Sequence, residues 1–194
     1  DYELSMVFCT SLNGFMLDKE FYPSMQDTPT PKETPEKKQR CPQLWMQPML
    51  TEKAQSQPNS SVVFRRRLES FEQSGDGVTS KVMDLDTKQE LIFKSQFLIG
   101  ADGATSNVRK QLGIELQGRL LSYSINILIS VPNLTSKHRM GPAERYLFVG
   151  PEGTWGNLTV VDGSEIWRLT VLGNQEKMDL ASFDANSWVR RALG

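Results

Sequence analysis

One segment of the sequence, FLIGADGATSNVRKQLG at residues 97–113, carries residue types and a spacing that could bind a ligand. The apolar run FLI predicts the end of a buried strand, Asp102 and Gly103 predict a turn, and a short helix follows. An Asp carboxylate at this place can accept hydrogen bonds from sugar hydroxyls, and a neighbouring glycine lets a ligand approach the backbone. Asp-Gly is also a common turn dipeptide, so spacing alone leaves a ligand site and a simple turn as open alternatives.

The helix after this turn has its own start and stop signals. Thr105 or Ser106 can cap its N-terminus, and Gly113 can end it in a left-handed conformation. Apolar residues recur every fourth position and would pack the helix onto a sheet: Ala104, Val108 and Leu112. Open α/β sheets bind ligands where the carboxyl end of a strand leads into a helix, so this geometry suits a site.

The elements that would position this segment begin with a predicted β-hairpin. In YELSMVFCTSLNGFMLDKEFYP, residues 2–23, strand-forming residues flank Asn13-Gly14, a dipeptide that accepts the positive φ angles of a tight turn. Residues 24–40 mix prolines with charged side chains and predict a solvated loop, because they offer too little apolar surface to offset the entropy of ordering.

The next segment, CPQLWMQPMLTEKAQSQ at residues 41–57, predicts a helix. Pro42 suits a first helical position, where its missing N–H is not needed. Pro48 would remove a hydrogen bond inside the helix, so we expect a kink there or a helix that begins near it. Gln43 and Gln47 lie on the side of the helix opposite its apolar stripe.

The remaining elements are predicted to be mostly strands. SVVFRRRLESFEQ, GVTSKVMDL and ELIFKSQFLIG, within residues 61–100, predict a β-meander whose last strand runs on through Phe97. LSYSINILISV, ERYLFVG, TWGNLTVV and EIWRLTVLG then predict an antiparallel sheet, and SFDANSWVRRALG predicts a short helix capped by Asp184 or Asn186. The fold class is therefore α+β or α/β.

Composition and charge exclude several classes of function. The 194 residues carry a formal net charge of -1, which gives no field that would attract nucleic acid or an anionic membrane. The arginines at residues 65–67 alternate between the two faces of a strand and so form no single basic patch. No apolar run approaches the ~20 residues that span a bilayer, and no signal peptide is visible at the start.

The few metal-ligating and nucleophilic side chains predict no metal site and no catalytic triad. Cys9 and Cys41 form no CxxC pattern and favour a reduced, cytoplasmic location. His138 lies in the polar loop NLTSKHRMGP without partners at a metal or triad spacing, so we expect a histidine on the protein surface.

Four aromatic residues in the second half could line an apolar pocket for an aromatic substrate: Tyr123, Phe148, Trp155 and Trp167. Aromatic residues in strands more often belong to the core, and we favour that interpretation here.

The strand followed by GADGATSNVRKQLGI resembles the internal Asp-Gly motif of the FAD-dependent aromatic hydroxylases, the flavoprotein monooxygenases of the phenol and p-hydroxybenzoate hydroxylase type. Asp102, Gly103, Ser106 and Arg109 match its pattern D-G-x-x-S-x-x-R in full. Three other segments resemble parts of the same family. FCTSLNG resembles the substrate-domain hairpin of the chlorophenol hydroxylase branch, and CPQLWMQPML resembles the helix that follows that hairpin. GDGVTSKVMD resembles the hairpin that precedes the Asp-Gly motif. The resemblance covers nearly the whole chain.

The resemblance implies a role for four residues. Asp102 would contact the ribose of FAD, and Gly103 would allow the cofactor close to the backbone. Arg109 would support that loop or the pyridine nucleotide. Gln47 would be the helix glutamine that contacts the flavin nucleotide, with Gln43 close enough to compete, and a solvent-facing role is the alternative for Gln47. No catalytic residue is identified.

Two motifs of the resembled family do not occur in the sequence. One is the N-terminal G-x-G-x-x-G, whose helix binds the FAD pyrophosphate, and the other is the later Gly-Asp motif. Gly75-Asp76-Gly77 is predicted to be a hairpin turn and opens no helix. We therefore expect an internal fragment of a longer enzyme that binds FAD weakly or not at all by itself.

The resulting hypothesis assigns residues 1–39 and 113–194 to a substrate domain and residues 40–112 to part of an FAD-binding domain. The chain would be the central part of a monooxygenase that uses FAD and NAD(P)H to hydroxylate a small, phenol-like substrate with O₂, and it is compatible with a homodimer. Two alternatives stay open: another oxidation such as epoxidation or polyketide tailoring, and a non-catalytic, truncated interaction module.

Overall fold

The computed structural model describes residues 3–37, 40–119, 121–174 and 176–194. The chain divides into two units, Asp1–Met46 with Leu120–Gly194, and Gln47–Arg119. The predicted assignment of residues 40–112 to an FAD-binding domain and of the rest to a substrate domain stays a prediction. In chain order the elements are β1 (Met6–Cys9), β2 (Met16–Glu20), α1 (Gln43–Gln55), β3 (Arg66–Ser74), β4 (Gly77–Asp84), β5 (Glu90–Ser95), α2 (Asn107–Gln111), β6 (Tyr123–Ser130), β7 (Arg145–Gly150), β8 (Gly153–Val160), β9 (Ile166–Asn174) and α3 (Ala185–Leu193).

The first unit is built on a six-stranded sheet in the order β2-β1-β7-β8-β9-β6. Strands β1 and β7 pair in parallel, and every other pair of neighbours is antiparallel. The mixed α/β class and the mostly antiparallel sheet that the sequence predicts are therefore confirmed. No helix in the described ranges is both long enough and apolar enough to cross a membrane.

One face of this sheet forms the core. Burial alternates along β7, where Tyr146 and Phe148 are buried while Arg145 and Leu147 are half-buried on the opposite face. Helix α3 covers the core face, and Asp184 caps it by accepting hydrogen bonds from two backbone N–H groups. The core includes Val7, Leu12, Leu134, Tyr146, Phe148, Trp155, Leu158, Trp167, Leu169 and Ala192.

Three of the four aromatic residues considered for a substrate pocket belong to this core, as the sequence favoured. Phe148 stacks on Trp155 with ring centroids 5.0 Å apart, and the Tyr146 and Trp167 rings lie 6.1 Å apart. Tyr123 is half-buried in β6.

The predicted hairpin of β1 and β2 is confirmed, but its turn is not the two-residue turn expected at Asn13-Gly14, because the loop covers residues 10–15. Thr10 N–H donates to the Phe15 carbonyl at 3.0 Å, and neither Asn13 nor Gly14 has a positive φ. The reason is tertiary: Leu12 is fully buried, and its N–H donates to the Ala192 carbonyl at 2.8 Å. The loop thus satisfies carbonyl groups at the end of α3.

The second unit contains a three-stranded antiparallel sheet in the order β3-β4-β5, as predicted for a meander. Helix α2 is attached to β3 by side chains. Asn107 Nδ2 donates to the Leu68 carbonyl at 3.1 Å, and Gln111 Nε2 donates to the Glu69 carbonyl at 2.9 Å. Both carbonyls lie at the irregular register between Leu68 and Ser70.

The predicted strand through Phe97 does not form. Strand β5 ends at Ser95, and Phe97 and Ile99 are 81% and 86% exposed. A strand needs a hydrogen-bonded neighbour, and no strand in the described ranges pairs with this apolar run. Leu112, expected to pack α2 onto a sheet, is 52% exposed.

Helix α1 begins at Gln43 and continues through Pro48, so a start near Pro48 is wrong. The N–H groups of Trp45 and Met46 donate to the Pro42 carbonyl at 3.0 and 3.1 Å, which sets the first turn. None of its side chains is buried, and Gln47 is exposed.

Candidate functional site

The Asp102 carboxylate caps helix α2. Its Oδ2 accepts hydrogen bonds from the N–H groups of Asn107 at 2.6 Å and Val108 at 3.2 Å, and its Oδ1 accepts one from the Ser106 hydroxyl. Ser106 is buried and in turn accepts the Arg109 N–H at 3.0 Å. Ser106, rather than Thr105, is therefore the N-cap, and Asp102 supplements it.

These hydrogen bonds also fix the charge of Asp102. The Ser106 hydroxyl, followed by the N–H groups of Val108 and Asn107, lowers the pKa of the carboxyl below its ordinary value, against an opposing desolvation effect. Asp102 is exposed and ionised at neutral pH, so it acts only as a hydrogen-bond acceptor.

Gly103 gives the loop its shape and leaves space beside it. Its φ is +77°, in the left-handed region, and a Cβ built there would meet nothing within 4 Å. Gly100, by contrast, packs closely, since a Cβ there would lie 2.8 Å from Val108. The open side of the loop is thus at Gly103.

Arg109 supports the chain that leaves the helix. Its Nη1 donates to the Ile114 carbonyl at 2.7 Å, and its Nε is buried without a hydrogen-bond partner among the described residues. The structure therefore brings Asp102, Gly103 and Arg109 together in one segment. Gln47 lies elsewhere, at an exposed position of α1, and its role stays a prediction.

Asp102 and Gly103 fit the ribose of FAD. Within the described chain Oδ1 of Asp102 accepts one hydrogen bond, which leaves it capacity for a second from a ribose hydroxyl. Gly103 offers the open backbone beside it. Asp102 can therefore cap helix α2 and bind a ligand at the same time. The two alternatives for this residue, a simple turn and a ligand site, do not exclude each other.

Two other sequence features have structural roles. Gly75-Asp76-Gly77 forms the turn between β3 and β4, as predicted. The arginines at residues 65–67 are each paired with a carboxylate, Asp86, Asp84 and Glu69 respectively. These pairs offer no basic patch for nucleic acid.

The expectation of a surface histidine is wrong. His138 is half-buried, with its ring edge-on to Tyr146 at 5.0 Å, and its Nδ1 accepts the Met140 N–H at 3.2 Å. The polar loop that contains it packs onto the core through Leu134 and Met140, which are both 2% exposed.

Sequence reasoning missed the polar face of the six-stranded sheet. Arg145 of β7 and Arg168 of β9 both lie opposite Thr159 of β8, so the three side chains share that face. Alternation along each strand shows which residues face away from the core, but the register that aligns them across strands is not visible in the sequence.

A family model described as an FAD binding domain matches residues 12–184. Among curated proteins, 2,4-dichlorophenol 6-monooxygenase of Cupriavidus pinatubonensis is 33% identical over 121 residues, which are 61% of this chain and 20% of that protein. Tetracenomycin B2 monooxygenase-dioxygenase of Streptomyces olivaceus is 36% identical over 81 residues, 42% of this chain and 15% of that protein. The matched segments thus span about a fifth or less of the length of these relatives.

A solved structure of RebC with bound 7-carboxy-K252c is similar to the whole chain. It matches 100% of this chain and 35% of the RebC chain, with a TM-score of 0.82 and 30% sequence identity.

Proposed function

The chain belongs to the FAD binding domain family, and from that premise we propose that it is the central part of an FAD- and NAD(P)H-dependent monooxygenase that hydroxylates a small aromatic substrate with O₂. The observation that carries the proposal is the 33% identity to 2,4-dichlorophenol 6-monooxygenase over 121 residues. The complete D-G-x-x-S-x-x-R segment, with an ionised Asp102 and an open Gly103, supports FAD as the cofactor.

In the proposed enzyme, FAD supplies the redox and oxygen-transfer chemistry when it is bound. Asp102 accepts a hydrogen bond from its ribose, and Gly103 lets it approach the backbone. Arg109 holds the loop after α2 by its hydrogen bond to the Ile114 carbonyl. The six-stranded sheet orients the ring of the substrate and keeps water away from it.

Spectra and turnover of the full-length protein that contains this chain test the proposal. The purified protein is expected to show flavin absorbance, and a phenolic substrate is expected to accelerate NAD(P)H oxidation. One atom of ¹⁸O₂ should appear in the hydroxylated product by mass spectrometry. A protein that carries no flavin, or a product without ¹⁸O, would contradict the assignment.

A second candidate activity is the oxidation of a polycyclic polyketide, because the tetracenomycin relative is 36% identical over 81 residues. The two activities differ in which added compound speeds the NAD(P)H-dependent reduction of the flavin. Acceleration by a simple phenol favours the first candidate, and acceleration only by a polycyclic compound favours the second.

Two further features belong to the proposal. A cytoplasmic location fits the two cysteines, because Cys9 and Cys41 are both free thiols. The compounds named for the similar proteins differ in charge, because 7-carboxy-K252c carries a carboxyl group and 2,4-dichlorophenol does not. These names therefore leave the charge of the substrate open. The homodimer stays a prediction.

A further inference from the structure

The loop between β1 and β2, residues 10–15, contains a dipeptide with a chemical reactivity of its own. An asparagine side chain followed by glycine can react with the backbone, because glycine has no side chain that hinders the attacking amide nitrogen. Asn13 is the only asparagine of the sequence that a glycine follows. Asn13 is also exposed, so water reaches its side chain.

The fold does not accept a larger residue at position 14. A Cβ on Gly14 would overlap Oγ1 of Thr10 and lie 2.7 Å from Oγ of Ser11. Thr10 Oγ1 is fixed at this place because it accepts a hydrogen bond from the Phe15 N–H at 3.0 Å. The loop therefore requires the same glycine that makes Asn13 reactive.

Helix α3 and the loop itself restrain the two groups that would react. The backbone N–H and the Nδ2 of Asn13 both donate to the Leu193 carbonyl, each at 3.0 Å. The Gly14 N–H, whose nitrogen would attack, donates to the Ser11 carbonyl at 3.2 Å. Leu12 is fully buried and anchors the loop in the core. Both groups can reorient for the reaction only when the loop separates from α3.

We propose that Asn13 is a site of spontaneous deamidation and that separation of its loop from α3 controls the rate. The Gly14 nitrogen loses its proton to water and attacks Cγ of Asn13. The bond between Cγ and Nδ2 then breaks, and the nitrogen takes up a proton and leaves as ammonia. Water opens the resulting cyclic imide at either carbonyl, which yields aspartate or isoaspartate. Water is the only co-reactant, and the reaction is independent of flavin and of the proposed function.

The product weakens the contact that controls its own formation. A carboxylate replaces the Nδ2 donor and lies against the Leu193 carbonyl, at the negative end of the α3 dipole, where an anion is unfavourable. Isoaspartate also lengthens the backbone of the loop, which displaces Leu12 from its buried position. Because the loss of ammonia is irreversible, protein molecules accumulate this change with age.

Peptide mass spectrometry of the full-length protein, stored at mildly alkaline pH, tests the proposal. Asn13 is expected to deamidate before the other asparagines do. Leu12→Ala should accelerate this reaction at least about tenfold, because it removes the buried anchor of the loop. Leu134→Ala is the matched control, since it shortens another core leucine, 2% exposed, that lies outside the loop, and it should leave the rate nearly unchanged.

Two outcomes of this experiment would overturn the proposal. The absence of modification at Asn13 would refute the site. Equal acceleration by Leu12→Ala and Leu134→Ala would show that the reaction requires unfolding of the whole core and not separation of the loop from α3.

A second measurement does not depend on how well the variants fold. In the unaltered protein, low concentrations of urea should raise the deamidation rate in parallel with amide hydrogen exchange at Leu12 and Asn13, whose N–H groups donate to α3 carbonyls. A deamidation rate that stays constant while this exchange accelerates would refute the control by α3.

Asn13→Asp imitates the aspartate product and tests its effect on the contact. It should accelerate amide exchange at Leu12 and Asn13 by about tenfold, and Asn13→Ala should do so less, because alanine removes the donor without adding a charge. High salt should narrow the difference between the two variants by screening that charge. Equal exchange in both variants at low salt would overturn the proposed effect of the product.

Discussion

The two units of the chain differ in how completely they bury their apolar residues. The unit with the six-stranded sheet contains nearly all of the buried hydrophobic side chains, whereas Val78 is the one such residue among the described positions of Gln47–Arg119. Both units expose large apolar side chains, and those of the second unit include Phe93, Phe97 and Ile99. The hydrophobic effect therefore stabilises the first unit far more than the second.

Local sequence signals and a buried core are therefore separate requirements for a stable fold. The second unit forms the hairpins that the sequence predicts, a capped helix α2 and the Asp102 loop. All of these depend on hydrogen bonds between residues that are close together in the sequence. Its apolar residues find few partners within the unit. A small sheet with one largely uncovered face has little independent stability.

The largest expected effect on stability comes from a substitution in the core of the first unit. Leu158→Ala removes a side chain that is 1% exposed in β8 and should lower the free energy of unfolding by about 3 kcal/mol. Ile92→Ala, at a position of β5 that is 53% exposed, should change it by less than about 1 kcal/mol. Urea denaturation measures both, and equal losses would show that the two units share one core.

A smaller effect concerns the loop of the second unit. In the full-length protein, Asp102→Ala should weaken FAD binding by about tenfold, because it removes the ionised acceptor that we propose for the ribose. Ser106→Ala is the control, since it disrupts the same cap but keeps that acceptor. Asp102→Ala should lower hydrogen-exchange protection at Asn107 and Val108, whereas Ser106→Ala should lower it at Arg109, and only Asp102→Ala should release flavin. Unchanged FAD affinity in Asp102→Ala would leave this residue with the capping role alone.

The smallest effect is a pH dependence confined to the first unit, which contains the only histidine of the sequence. Burial lowers the pKa of His138 below its ordinary value of 6.5, so the unfolded chain takes up this proton more readily than the folded one. The stability that neutral His138 contributes is therefore present above pH 6.5 and is lost as the pH falls below it.

Denaturation of the unaltered chain and of His138→Gln at pH 7.5 and 5.5 measures this effect. The variant should show a flatter pH dependence. Asp84 and Asp102 do not explain a difference in this range, because their pKa values are lowered from 3.8 and they respond only at more acidic pH. An unchanged slope in the variant would refute the role of His138.

Much of the fold could be predicted because its signals are local. Alternating strands separated by turn residues identified the β3-β4-β5 meander and strands β6 to β9. The Asn13-Gly14 turn failed because the burial of Leu12 against α3 outweighs the preference of a dipeptide. The strand at Phe97 failed because strand formation depends on a neighbour that a pattern of apolar residues does not supply.

The conformation of the Asp102 loop follows from residues that are close together in the sequence. Asp102, Ser106 and Arg109 are spaced so that each reaches backbone groups within a few residues, and the hydrogen bonds of the loop follow from that spacing. Tertiary packing, by contrast, selects the face of the large sheet that becomes core and the residues that meet on the other face. Arg145 and Arg168 are far apart along the chain, and the pairing of β7, β8 and β9 places them on either side of Thr159. Register is set by packing across strands, and no single strand encodes it.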